Sequence, residues 1–286
     1  MLGHKLAQVY RDRFETWVTV RSCFEDYERF NLFDEKRTIG GVDGMEFDTV
    51  TRALEIARPD VIVNAVGVIK QLPTSEDPIV ALTINSLLPH KLAAHCRSIG
   101  CRLITLSTDC IFNGRRGMYT EDDTSDAEDL YGRTKYLGEV AGARCLTLRS
   151  SIIGRELKSS HSLVEWFLSN RGAKVRGFSK AIYSGFPTLT MARIIAELIE
   201  DHSELHGVYN VSSDPINKYD LLRLMRDTYG IEVEIEPDSE FEIDRSLDSS
   251  RFRAATGFKP ESWPEMIQEM ADDPTPYDEW RRTSGA

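Results

Sequence analysis

The feature that most constrains this chain is the alternation, through its first half, of short apolar runs with longer amphipathic stretches. Asp60-Val61-Ile62-Val63-Asn64-Ala65, Arg102-Leu103-Ile104-Thr105-Leu106-Ser107 and Cys145-Leu146-Thr147-Leu148-Arg149 are strand-length and almost continuously apolar. Runs of that kind belong to strands buried on both faces. Between them, residues 47–57, 80–98 and 130–143 carry helical periodicity, with Phe47, Val50, Ala53, Leu54 and Ala57 on one face of the first, and Gly100 closes the second. Buried strands separated by helices predict an α/β fold, a doubly wound parallel sheet covered by helices on both faces. Trp17-Val18-Thr19-Val20 reads as a further strand, and 38–42 as a weaker one diluted by Gly40-Gly41.

The second half is less regular. Residues 162–168 and 188–199 read as helices and 207–211 as a strand. Asn217 is placed to cap a helix over 218–229 that Gly230 stops. The Asp-, Pro- and Thr-rich tail from Ala271 is expected to fray apart from an anchor at Trp280. There is no internal repeat and no low-complexity linker, so the second half is expected to pack onto the first.

Charge and cysteine usage narrow the partners and the compartment. With 35 Lys+Arg against 46 Asp+Glu the net charge is −11, which opposes an electrostatic grip on nucleic acid or anionic lipid. No apolar run approaches the ~18–20 residues of a membrane helix, and Met1-Leu2-Gly3-His4-Lys5 leads into polar sequence without the apolar core of a signal peptide. The five cysteines are odd in number and lack a Cys-x-x-Cys, which reads as reduced thiols packed as small hydrophobes in a cytoplasmic protein. The six histidines show no metal-ligand spacing; His90 and His95 share a helix with no carboxylate partner nearby, so no metal is expected.

Three strand ends carry the chemistry. Ser107-Thr108-Asp109 follows a buried strand, so its hydroxyls lie at the carboxyl edge of the sheet, where ligands bind in open α/β folds. Tyr131-Gly132-Arg133-Thr134-Lys135 opens a helix, and residues i and i+4 share a helix face. An ammonium beside a phenol lowers its pKa from about 10 towards neutrality, which suits proton transfer at pH 7. Asn64-Ala65-Val66-Gly67 ends the preceding strand, and Gly67 permits close backbone approach by a cofactor. Singly, each has an ordinary structural explanation as a helix-surface pair, a turn or a cap; jointly they are hard to meet by chance.

In this order the motifs resemble the extended short-chain dehydrogenase/reductase family, and within it the dTDP-4-dehydrorhamnose reductases and related nucleotide-sugar reductases. The stretches that carry the likeness are Asn64-Ala65-Val66-Gly67, Leu106-Ser107-Thr108-Asp109-Cys110-Ile111-Phe112-Asn113-Gly114, Tyr131-Gly132-Arg133-Thr134-Lys135-Tyr136-Leu137-Gly138-Glu139 and Leu148-Arg149-Ser150-Ser151. The resemblance implies a Rossmann-like NAD(P)-binding domain over 1–154. It implies a smaller α+β substrate-binding lobe over 155–286, partly interleaved with the first domain. It makes Tyr131 the proton donor to the substrate oxygen. Lys135 would lower the Tyr131 pKa and hold the nicotinamide ribose, Thr108 with Ser107 would orient the sugar carbonyl, and Asn85 would order the proton path. It also implies a nucleotide-sugar substrate, a role in surface polysaccharide or O-antigen precursor synthesis, and a homodimer as the assembly to test for.

Cofactor choice turns on the end of the second strand. An acidic residue there selects NAD, and an Arg takes the 2′-phosphate of NADP. The strand ends Thr19-Val20-Arg21-Ser22 with no carboxylate before Glu25, so Arg21 points to NADPH over NADH. Asp43, after the next strand, is a candidate adenine contact or a turn residue. Of the glycine fingerprint only Gly3 is matched, as the last glycine packing the first helix, residues 5–14, against the sheet. The first strand and the earlier glycines are not in the sequence, and the natural protein is expected to begin roughly 10 residues earlier.

Two departures bear on the sugar. Cys110 stands where the rhamnose enzymes tend to carry Tyr, and Ile152 stands where they carry an aromatic. With flat aromatic walls lost, a different 4-keto or 6-deoxy hexose is expected, and Lys70-Gln71 and Asp109 are candidate contacts at the pocket. Two alternatives stay open: an NAD-dependent epimerase or dehydratase using the same Tyr and Lys, and a non-catalytic, reductase-like regulatory subunit.

Overall fold

A computed structural model describes residues 1–70 and 73–282 of the chain. The first half runs α1 (Leu2–Tyr10), β1 (Val18–Thr19), α2 (Glu25–Glu28), β2 (Thr38–Ile39), α3 (Phe47–Ala57) and β3 (Val61–Asn64). It continues through α4 (Pro78–Ala81), a π-helical segment (Leu82–Leu87), α5 (Leu88–Ile99), β4 (Arg102–Ser107), α6 (Leu130–Leu137) and β5 (Cys145–Arg149). The second half carries β6 (Ile152–Ile153), α7 (Leu163–Ser169), β7 (Lys174–Tyr183), β8 (Phe186–Pro187), α8 (Thr188–Glu200) and β9 (Gly207–Asn210). Then follow β10 (Ile216–Asn217), α9 (Lys218–Tyr229), β11 (Glu234–Asp244), α10 (Ser250–Thr256), α11 (Trp263–Ala271) and α12 (Tyr277–Arg282).

The apolar strands pair as a parallel sheet in the order β3-β4-β5-β9, the last strand coming from the second half of the sequence. Leu103, Ile104, Leu146 and Leu148 are fully buried between covering helices, each contributing about 1.5–3 kcal/mol through burial. This is the parallel α/β sheet expected from the alternation, and the Rossmann-like architecture that the resemblance implies. β1 and β2 form a separate two-residue parallel ladder, and β1 and β3 are not hydrogen-bonded to each other. β3 is therefore half-buried over Val61–Val63, not buried as the apolar run suggested, because β4 is its single ladder neighbour.

Other boundaries move for identifiable reasons. The helix expected over 130–143 ends at Leu137, where a Cβ on Gly138 would lie 1.8 Å from the Asn85 carbonyl oxygen. The helix expected over 80–98 starts earlier, capped by Asp77 with Pro78 at its first turn, and changes pitch through the π-helical segment. The first helix spans Leu2–Tyr10 and buries Leu2, Leu6 and Tyr10 in the main core, which they share with Met191 and Ile195 of α8. Gly3 does not pack it against the sheet: the residue is exposed and a Cβ there would meet nothing within 4 Å.

Sequence periodicity left the lobe strands β7 and β11 unseen. β7 pairs parallel with β11 and antiparallel with β10. Exposed charges alternate along these strands and pair across them, as in Lys180–Glu242 at 3.1 Å, so neither strand is an apolar run. The tail does not fray through the described residues. Asp273 accepts from the Lys5 ammonium at 2.5 Å, Tyr277 is 2 % exposed with its hydroxyl 2.7 Å from His4 Nε2, and the Trp280 ring packs edge-on to Phe30. Burial of aromatic area outweighs the polar composition there. The five cysteines are free; Cys96, Cys101 and Cys145 are buried as expected, Cys110 is half-buried, and Cys23 is exposed. No helix among the described residues is long and apolar enough to cross a membrane.

Candidate active site

The site forms where β3, β4 and β5 end. β4 delivers Ser107 and then turns at Thr108, whose side-chain oxygen accepts from the Cys110 amide at 3.2 Å and caps a short 3-10 turn. The same hydroxyl donates to Asp109 at 3.1 Å and acts on the Tyr131 phenol, opposing the rise in its pKa. α6 is started by Asp129, whose carboxylate accepts from the Gly132 amide. That cap places Tyr131 in the first turn, facing Thr108. Gly132 is required here: a Cβ would stand 2.2 Å from the Cys110 carbonyl oxygen.

Lys135, one turn on, is buried and donates to the Leu106 carbonyl oxygen at 2.5 Å. Burial draws its pKa down to about 8, against the pull of the Glu139 carboxylate. Burial pushes the Tyr131 phenol above its ordinary range, and the Cys110 thiol and the Asp109 and Asp129 carboxylates add to the rise. This reverses the expectation that Lys135 lowers the phenol's pKa, because the ammonium is turned towards β4. The consequence is a phenol that keeps its proton at pH 7, which is the form a proton donor needs.

The remaining expected residues divide between the site and its supports. Asn64 is buried, donating to Thr105 at 3.2 Å and accepting from the Val66 amide, so it shapes the strand end from within. Ala65 and Gly67 are exposed beside it. Asn85 is 2 % exposed and is no surface amide: it accepts from the Val68 amide at 3.0 Å and donates to the Val68 carbonyl and to Thr134. It thereby braces the Gly67 loop against α6. Ser107 is not brought to Tyr131; its hydroxyl donates to Glu139 at 2.6 Å. Successive strand residues point to opposite faces, so Ser107 and Thr108 serve different partners.

Arg21 and Asp43 approach within 3.7 Å on the exposed side of β1, and Asp43 also organises its own turn by accepting from the Met45 amide. Lys70 pairs with Asp129 at 2.6 Å, and Gln71 lies outside the described residues. Asp109 is buried beside Thr108, and Ile152 sits on the β6–β8 ladder. Cys110 is held by burial with its thiol pushed up to about 12, and Arg245 donates to its sulfur at 3.7 Å. Among the described residues no group of three or more His, Cys, Asp or Glu side chains could hold a metal ion. A cavity of about 330 Å³ lined by Thr190, Arg193 and Phe258 lies away from these residues, behind α8.

Several residues of the site were not assigned a role from sequence. Glu139 and Arg149 form a bidentate ion pair, both hydrogen bonds at 2.8 Å, with side chains 7 % and 5 % exposed. The sequence signal was present: Arg149 is a charge ending an apolar strand, and Glu139 stands four residues past Lys135. Arg245 and Tyr183 come from the lobe, more than 30 residues from the motifs, and no local spacing marks them. Tyr183 is buried, and Asp109 acts on it.

The RmlD substrate binding domain model matches residues 2–275. The spore coat polysaccharide biosynthesis protein SpsK of Bacillus subtilis is 28% identical over 230 residues, 76% of this chain and 80% of that protein. A dTDP-4-dehydrorhamnose reductase of Burkholderia thailandensis is 30% identical over 165 residues, 52% of this chain and 51% of the reductase. The mouse (Mus musculus) methionine adenosyltransferase 2 subunit beta is 23% identical over 99% of this chain and 88% of its own length. Among solved structures, the dTDP-4-dehydrorhamnose reductase of Bacillus anthracis in complex with NADP superposes with a TM-score of 0.72 at 18% identity, over 88% of this chain and 96% of that one.

Proposed function

From the premise that the chain belongs to the RmlD substrate binding domain family, within the extended short-chain dehydrogenase/reductases, we propose that it reduces a nucleotide-linked 4-keto-6-deoxy sugar with NADPH. The product would feed surface polysaccharide synthesis in the cytoplasm. The observation that carries the reading is the convergence of the Tyr131 phenol, which Thr108 acts on, and the buried Lys135, bonded to the Leu106 carbonyl one helical turn away. The resemblance of the motifs, the SpsK likeness and the reductase relatives support it.

The residues present fit a nicotinamide dinucleotide. Lys135 has three N–H donors, and Leu106 accepts one of them, which leaves donors for ribose hydroxyls. The exposed Val66-Gly67 strand end gives backbone access, since a Cβ at Gly67 would meet only the Asn85 side-chain oxygen at 3.5 Å. Arg21, with its side chain 72 % exposed, offers a cation where the 2′-phosphate would lie. When bound, the cofactor supplies the hydride. Thr108 and Tyr131 hydrogen-bond the keto oxygen and orient it. As negative charge develops there, Tyr131 gives up its proton, completing the alcohol. The Lys135 ammonium, bonded to the Leu106 carbonyl, would hold the ribose beside the reacting centre. Arg245 and Lys70, at the mouth beside Cys110 and Asp129, supply positive charge suited to a sugar diphosphate. We read 1–154 as the cofactor-binding part and 155–286 as mainly the substrate lobe. A homodimer is the assembly that would cover the exposed Ile79, Leu82, Leu87 and Leu137.

The test is NADPH oxidation with a panel of 4-keto nucleotide sugars, comparing wild type with Tyr131→Phe. The loss expected is on the order of 10²-fold or more; equal rates sink the assignment. The likeness to methionine adenosyltransferase 2 subunit beta over 99% of the chain favours one other reading, a non-catalytic regulatory subunit. A wild type that binds NADPH but oxidises it with no sugar of the panel supports that reading over the first.

A further inference from the structure

We propose that Glu139 is a positioning residue of the active site, tying α6 to the end of β4 so that Lys135 and Tyr131 are held in register with Thr108. The inference rests on the reductase reading for its kinetic consequence, and on the geometry alone for its structural one.

Two consecutive residues of β4, immediately before Thr108, are each held by the segment that carries Tyr131. The Leu106 carbonyl oxygen accepts from Lys135, and the Ser107 hydroxyl donates to Glu139 Oε1. Lys135 lies on α6 and Glu139 two residues past its end, so that segment holds a backbone carbonyl and a side chain of the strand end at once. Glu139 is in turn fixed by Arg149 from β5, whose Nε donates to Oε1 and whose Nη2 donates to Oε2. The ends of β4 and β5 and the segment after α6 thus meet at one carboxylate. The position is not free to drift: at Gly138 the backbone touches the Asn85 carbonyl so closely that no side chain fits. Arg149 lies over the Phe112 ring at 5.6 Å, and Phe112 stacks on Tyr119, so the far side of the clamp is rigid too.

A buried carboxylate held this way does two things for the site. It sets the distance between the Tyr131 helix and the Thr108 turn, where small misplacements are costly to rate. It also supplies a fixed negative charge near the Lys135 ammonium, favouring its protonated form. The other charged or titratable groups about this cluster are Tyr131 on α6, Arg149 on β5, Asp109 and Cys110 after β4, Glu121, whose backbone carbonyl accepts from Arg149, and Tyr119, stacked on Phe112. The neighbouring π-helical segment contributes the uncharged Asn85 and Ser86, the latter donating to the Thr134 carbonyl.

The experiment compares wild type, Glu139→Gln and Glu139→Asp by two readouts. The first is the titration of Lys135 followed by NMR of its 13Cε in the NADPH-loaded protein. The second is the pH profile of kcat/KM on an accepted sugar. Glu139→Gln is expected to move the Lys135 midpoint and the alkaline limb down by about one pH unit, with kcat falling more than KM rises. Glu139→Asp, which keeps the charge, is expected to recover most of the midpoint. A Lys135 midpoint unchanged in a folded Glu139→Gln overturns the proposal. If Glu139→Gln does not fold, the same two readouts on Glu139→Asp decide: a shortened carboxylate that leaves kcat untouched also overturns it. Wild-type inactivity on every sugar would instead count against the reductase reading, while the NMR titration still tests the clamp.

Discussion

The two ends of the candidate cofactor cleft are built to different standards. At the chemical end, β3, β4 and β5 lie in one ladder, and Lys135, Thr108, Ser107 and Arg149 are each under a tenth exposed. Each of the four side chains there is tied to at least one partner from another strand or helix or from the next residue. At the β1–β2 end the ladder is two residue pairs long, Thr19 is exposed, and Arg21 makes one loose contact with Asp43. Chemistry that depends on tenths of an ångström is thus placed where packing over-determines position. Recognition of one phosphate by a charge tolerates a mobile side chain. The contrast makes predictions of unequal size.

The largest effect is expected in the clamp. Arg149→Ala leaves the Glu139 carboxylate buried without its cation, which costs about 3–5 kcal/mol in a chemical-denaturation experiment. The double variant Arg149→Met with Glu139→Leu removes both charges and is expected to be more stable than Arg149→Ala. If Arg149→Ala melts like wild type, the chemical end is not over-determined and the contrast breaks.

This cluster also shows what the sequence conveyed and what it withheld. The parallel sheet was legible because strands buried on both faces have no other way to look, and Tyr131, Lys135 and Thr108 were legible because their spacing is local. Ser107 bonds to Glu139 although it adjoins Thr108, a partnership that strand adjacency does not reveal because successive strand residues face opposite ways. Gly3 was misassigned because a motif position was carried over without knowing what stood opposite. β7 and β11 were missed because a strand stabilised by cross-strand ion pairs leaves no apolar run. Arg245 and Tyr183 were missed because they reach the site through tertiary folding from the lobe. The ordered tail was missed for a related reason, since Tyr277 and Asp273 find partners on α1 some 270 residues away.

That tail contact gives the next effect in size. His4 is buried against Tyr277, and burial, with neighbouring positive charge, drops its pKa to about 2. The unfolded chain binds a proton on this histidine below about pH 6.5 and the folded protein does not. Stability is therefore complete above that pH and is lost as pH falls. Between pH 6.5 and 5 the loss from this group is about 2 kcal/mol, from 1.36 kcal/mol per unit. His4→Phe is expected to flatten that part of the stability–pH curve relative to wild type. Parallel curves for the two proteins would show that α1 and the tail are not locked together, and that this junction belongs with the loose end of the cleft.

The smallest effect tests the loose end directly. Arg21 is exposed, so its attraction for a phosphate is screened by solvent and salt, and its ion pair with Asp43 adds little order. Arg21→Ala is expected to raise KM for NADPH by about tenfold, roughly 1.4 kcal/mol, and to leave kcat and KM for NADH nearly unchanged. The NADPH effect should shrink as salt rises, because the interaction is between groups in water. A fall in kcat with either cofactor would mean that Arg21 reaches the chemical end, so the division of the cleft into a rigid reacting end and a tolerant recognising end would have to be redrawn. An equal loss with both cofactors, confined to KM, would leave the division intact but move the 2′-phosphate contact to another cation.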